Sequence, residues 1–196
     1  MKGILLAMAL TVTTTGLARD HLVPDHSAYA AAGPSAAGIN PKLLPLFAPR
    51  YTVRLIADVA MRGSHGFGLT QDRGRTTMRY IGVSPIRHPD IDCEAPLDAA
   101  FAADLTTAWR KVLATVRDGD GPSFGLDGVF YHFALQGGGH AARTGQVWSP
   151  DEGSPPQVLV TIVGGLTKYC TTHDAAMLPP LRALAAALVH RLEKGD

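Results

Sequence analysis

Residues Tyr51 to Arg62 alternate without a break: Tyr51, Val53, Leu55, Ala57, Val59 and Met61 share one face of an extended chain, and Thr52, Arg54, Ile56, Asp58, Ala60 and Arg62 share the other. Successive side chains of a strand point to opposite faces, so this pattern predicts a strand with one face on a core and the other towards solvent. The glycine-rich stretch Gly63 to Leu69 reads as an irregular continuation after a bulge. Asp72-Arg73-Gly74 is a turn signal, and Thr76 to Val83 reads as a strand paired with one before it.

Pro85 to Glu94 reads as a loop. Leu97, Phe101, Leu105, Trp109, Val112 and Val116 then recur at three- and four-residue spacing, which predicts a helix over Pro96 to Val116 with the proline in its first turn. Val129, Tyr131, Phe133 and Leu135 alternate with Phe130, His132, Ala134 and Gln136, a strand with an aromatic core face. Gly137 to Gly139 turns the chain, and Arg143 to Trp148 returns as its hairpin partner.

Ser154-Pro155-Pro156-Gln157 has the spacing of a capping box. The following Val158 to Val163 is β-branched and Gly164-Gly165 disfavours a helix, yet Leu159, Ile162, Val163, Leu166, Tyr169 and Cys170 form a long helical stripe. Helix is the preferred reading, with strand as the alternative for 157–166. A final helix opens at Pro180 with Leu181, Leu184, Leu188 and Leu192 on one face. The order of elements predicts an α+β domain over 50–196: a small antiparallel sheet of two hairpins, packed on one face by about three helices and partly open on the other.

A chain of 196 residues, 46% hydrophobic, buries one ordinary core. A net charge of +1 with no basic run leaves no electrostatic footprint for nucleic acid or for an anionic membrane. Lys2, the apolar run Gly3 to Val12 and the small residues of Gly16-Leu17-Ala18 read as a secretory signal over 1–18, cleaved after Ala18. That run is too short to cross a bilayer, which needs roughly 20 residues, so no membrane span is expected in the mature chain. Arg19 to Pro49, rich in Ala, Gly and Pro, reads as a flexible leader. Two cysteines, Cys93 and Cys170, are the count for one disulfide in an oxidising compartment, with two buried thiols as the alternative.

The candidate chemistry is sparse. Gly137 to Ala142 fits G-x-G-x-x-A, but a dinucleotide-binding turn needs a helix next, and Gly145 and Pro150 leave no room for one. Ser64 beside His65 lacks the glycine of a nucleophile elbow, since Arg62 stands there. Asp118 to Gly121 lacks the distal ligands of a calcium loop. His65, His132 and His140 are the candidates for a polar site, with His132 meeting His140 across the hairpin. Cleavage after Ala18 would leave Arg19-Asp20-His21, whose amine, amides and imidazole can hold Cu(II) or Ni(II) in a square plane, so His21 is a conditional metal ligand. Arg54, Arg62, Arg79 and Asp58, with Ile56 and Ile81, suggest a partner surface on the first sheet's outer face, against the plainer reading of a solvated face. No cofactor is expected.

Asp127-Gly128-Val129-Phe130-Tyr131-His132-Phe133, followed by Trp148-Ser149-Pro150 and Gly153-Ser154, resembles a pattern in small exported bacterial proteins of uncharacterised function. The resemblance covers about the second half of the chain and implies bacterial export and a helix after Ser154; it implies no activity. The expectation is a periplasmic or secreted, non-enzymatic binding module of inhibitor or immunity type, whose partner is an envelope or secreted protein. The alternative is an exported hydrolase built on the three histidines.

Overall fold

The computed structural model describes residues 19–30, 39–59, 63–84, 89–118, 128–137 and 140–195, with the backbone alone at 140 and 141. The signal-like stretch 1–18 and Arg62 lie outside the described residues. The fold is α+β, built on six strands: β1 (Tyr51–Val59), β2 (Gly63–Asp72), β3 (Arg75–Val83), β4 (Ile91–Leu97), β5 (Val129–Gly137) and β6 (His140–Trp148). They form a single sheet in the order β4-β3-β2-β1-β5-β6, antiparallel at every pairing. The two expected hairpins are therefore one sheet joined through β1.

Two strands are additional: Gly63 to Leu69, expected to continue β1 past a bulge, instead runs back antiparallel to it within β2, and β4 falls where a loop and the first turn of a helix were expected. Ile91, Cys93, Ala95 and Leu97 alternate with Asp92, Glu94 and Pro96, but a proline and three acidic or small residues weaken the signal. An edge strand tolerates proline because one row of its N–H groups has no partner, and β4 is the sheet's edge. The helix α1 then starts at Ala99 and runs to Ala114, with Asp98 as its N-cap, accepting from the backbone N–H of Ala100 and Phe101.

The alternation of β1 breaks once. A register shift between Tyr51 and Val53 turns Tyr51 to the face of Arg54 and Ile56. Val53, Leu55, Phe67, Leu69, Met78, Ala95, Phe133 and Val147 line the other face and pack against α1 and α2 (Pro155–Thr172). The helix reading of α2 holds: Ser154 Oγ accepts from Gln157 N, and Gly165 lets α3 (Leu178–Lys194) approach, since a Cβ there would lie 2.4 Å from Leu181 Cδ2. α3 packs on α1 and α2, through Leu181, Ala185 and Leu188; Leu184, expected on that face, is 40% exposed. Cys93 on β4 and Cys170 near the end of α2 are bridged, their Cα atoms 6.0 Å apart.

The second face of the sheet is covered, not partly open, and what covers it is the segment expected to be a flexible leader. Val23 pairs with Gln146 by two backbone hydrogen bonds on the free edge of β6. Leu22 enters the core on the helical side, allowed by Gly145, where a Cβ would lie 3.1 Å from Leu22. Residues beyond Val23 reach the other face. A 3-10 helix at Pro41–Phe47 then docks there, burying Leu43, Leu46 and Phe47 with Ile39, Tyr51, Ile56 and Ile81. Gly66 and Gly68 make the trough: a Cβ on Gly66 would lie 2.4 Å from Leu46 Cδ1, and on Gly68 2.5 Å from Tyr51 Cδ1. Ala, Gly and Pro composition suggested mobility, but a few well-placed apolar side chains between them suffice to anchor residues 19–30 and 39–49.

Candidate functional site

His132 sits on β5 opposite Ile56, on the face the N-terminal segment covers, and is 6% exposed. Its Nδ1 is 3.0 Å from Asp25 Oδ2, whose side chain is 0% exposed, and 3.2 Å from Ser27 Oγ. Ser27 donates to Asp25 Oδ1 through both its backbone N–H and its hydroxyl. Burial alone would raise the Asp25 carboxyl; the hydrogen bond and charge of His132, with the Ser27 donors, outweigh it and hold the group below its ordinary value. Tyr29 stacks on His132 at 4.4 Å and donates to Asp58, which also accepts from Ser64.

Asp, Ser and His together invite a hydrolase reading, but the geometry differs from a catalytic triad. In a triad the carboxylate holds one ring nitrogen and the hydroxyl faces the other. Here Asp25 and Ser27 both address Nδ1, and the group is buried. The arrangement pins the N-terminal segment to the sheet.

The other expected site residues do not join it. His65 pairs with Ala57 and His132 with Ile56, so the two histidines lie on opposite faces of the sheet. Burial pushes the His65 imidazole below its ordinary value, and its ring packs 5.9 Å from Tyr80. His140 opens β6 opposite Gly137, whereas His132 pairs with Gln146, so the two histidines do not meet across the hairpin; Gly138 and Gly139 lie outside the described residues. The expected partner surface is occupied from within the chain. Arg54 is 5% exposed, donates to the Tyr29 carbonyl and lies 3.9 Å above the Phe47 ring; burial lowers its guanidinium to about 10, still charged at neutral pH. Arg79 clasps Asp92 with two hydrogen bonds, and Ile56 and Ile81 lie under the 3-10 helix.

A cleft of about 750 Å³ opens where the start of the N-terminal segment meets the end of α1, the start of α2 and the end of α3. Asp20, His21, Arg117 and Arg191 supply its charge; Ala114, Val116, Pro155 and Leu192 supply apolar wall. His21 Nδ1 lies 2.6 Å from Asp20 Oδ1, a bond that holds the Asp20 carboxyl below its ordinary value. Since a carboxylate only accepts, Nδ1 carries the hydrogen; Arg117 Nη2, 3.2 Å from the same nitrogen, acts there through its charge. His21 Nε2 is buried with no hydrogen-bond partner. Arg191 donates from Nη1 to the Gly153 carbonyl, while its Nε and Nη2 are also buried without partners. Two unpartnered guanidinium nitrogens beside one cleft are unusual, because buried donors nearly always find acceptors.

His21 Nδ1, the nitrogen that the expected Cu(II) or Ni(II) site would use, is hydrogen-bonded to Asp20 Oδ1 here. No group of three or more His, Cys, Asp or Glu side chains suited to a metal occurs among the described residues. A second, smaller cleft of about 250 Å³ lies between α1 and the β2–β3 hairpin, lined by threonines. The hydroxyls of Thr52, Thr70 and Thr106 there donate to backbone carbonyls.

Asp25, Ser27, Arg117 and Arg191 were not candidates from sequence, because no spacing rule links residues that meet only when the N-terminal segment folds back over 100 positions. No protein-family model, curated protein or solved structure matches this chain.

Proposed function

We propose that the protein is an exported, non-enzymatic binding module of inhibitor or immunity type, which acts by occupying an envelope or secreted partner through the Arg117–Arg191 cleft. The observation that carries this reading is the cleft's chemistry. It combines two arginines, a histidine and apolar wall, the mix of a recognition pocket, with no nucleophile and base paired inside it. The disulfide fits an oxidising compartment, and no described helix is long and apolar enough to cross a membrane. The resemblance of the second half to small exported bacterial proteins points the same way. The hydrolase alternative loses its motive, since His65 and His132 face opposite ways.

The test is capture from envelope extract with the full chain as bait, beside an Arg117→Glu bait. Arg117 is 66% exposed, so the charge reversal leaves the fold intact. The reading expects one partner retained by the native protein and lost with Arg117→Glu. Equal capture by both baits, or turnover of a substrate by the pure protein, would overturn it.

A further inference from the structure

We infer that the cleft seats a carboxylate presented by the partner polypeptide, clasped side-on by Nε and Nη2 of Arg191; this rests on the cleft being the binding site proposed above. Nε and Nη2 are the adjacent donors of one guanidinium fork, matched in spacing to the two oxygens of a carboxylate. In Arg191 they are the two that lack acceptors, while Nη1 is held by the Gly153 carbonyl, which fixes the fork in place. Arg117 adds charge at the rim.

Two features favour a carboxylate over a phosphate. Phosphate sites commonly draw on backbone N–H groups at a helix start. The start of α2 at this cleft carries Pro155 and Pro156, which have none, and Gln157 N is already taken by Ser154 Oγ. Asp20 also stands in the cleft and offsets part of its positive charge, which suits a single negative charge better than two. Ala114, Val116, Pro155 and Leu192 then contact the apolar stem that carries the carboxylate. Solvent does not touch the Arg191 donors in this structure, so seating the carboxylate requires the cleft wall over them to move.

The test is a titration of the full chain, labelled with ¹⁵N, following the arginine Nε–H resonances. Hexanoate is the probe, a carboxylate on an apolar stem, and inorganic phosphate is the comparison. The expected result is a saturable shift of the Arg191 Nε–H with hexanoate, and affinity lowered about tenfold or more in Arg191→Lys, which keeps the charge and loses the fork. The native titration stands alone if Arg191→Lys folds poorly. No saturable shift with hexanoate, a response to phosphate only, or undiminished affinity in Arg191→Lys overturns the inference. Failure here with partner capture still lost in Arg117→Glu overturns the carboxylate alone; unchanged capture in Arg117→Glu overturns the cleft as the binding site.

Discussion

Replacing His132 by alanine should be among the most damaging single changes in this chain, although no catalytic role is assigned to it. The Asp25 side chain has no exposed surface, and it is held by His132 Nδ1 and the two Ser27 donors. Removing His132 leaves the buried carboxylate short of one donor, which costs about 2–3 kcal/mol, with the Arg54 guanidinium and Ser27 still acting on it. The loss of ring packing on Tyr29 adds to this. Asp25→Ala alone should cost about 2–3 kcal/mol, since Ser27 loses its acceptor as well. The double variant leaves no carboxylate short of its donor, so its cost should fall about 2 kcal/mol short of the sum of the singles. For a chain of this size His132→Ala should lower Tm by about 10 °C. The assay is urea denaturation of all four proteins at neutral pH. The pair also has an acid signature. A carboxyl held below 3.8 in the fold stabilises it above that pH, and the benefit disappears as pH falls through the folded value. The double variant should therefore show a flatter acid limb. Additive single costs, within about 0.5 kcal/mol, would refute the claim that this pair clamps the N-terminal segment to the sheet.

Two neighbouring glycines should respond in opposite directions. Gly164 on α2 has open space where a Cβ would go, so Gly164→Ala should stabilise by about 0.5–1 kcal/mol, whereas Gly165→Ala meets Leu181 and should destabilise by about 1–2 kcal/mol; thermal unfolding of both decides. The Cys93→Ser/Cys170→Ser variant opens a link between residues 77 positions apart, worth about 4.5 kcal/mol in the chain-entropy account, and its urea midpoint should fall accordingly. His65 is buried and favours its neutral form. Its folded value lies below 6.5, so the unfolded chain takes up a proton first and stability should fall as pH drops below 6.5; His65→Gln should remove that part of the slope, read by unfolding at a series of pH values.

Local pattern made some of this fold legible and left the rest hidden. β1 was readable because its alternation is long, and α2 because Ser154 caps it and its apolar stripe outlasts the β-branched run. β4 was missed because an edge strand tolerates the Pro96 that argues against a strand. The bulge that turns Tyr51 over leaves no mark in the alternation, since Thr52 is as plausible on either face. The N-terminal segment was misread for a different reason. Its composition is that of a linker, but Leu22, Leu43 and Leu46 become wholly buried because Gly66, Gly68 and Gly145 leave room for them elsewhere in the chain. Complementarity between segments so far apart has no local signature. The same holds for the cleft: Arg117 and Arg191 each read as a basic residue near a helix end, and only tertiary packing brings them to His21.

The functional reading stands on export, and the cleft includes Asp20 and His21, close behind the expected cleavage point. Arg19 is itself tied down: its carbonyl accepts from Asp151 N at 3.0 Å, and its Nε donates to the Ser149 carbonyl at 2.8 Å. The most direct measurement is therefore the intact mass of the protein recovered from the cell envelope or medium, with and without reductant. The account predicts a chain that begins at Arg19 and gains about 2 Da on reduction, as the Cys93–Cys170 bridge opens. A chain that still begins at Met1, with both thiols free, would contradict it.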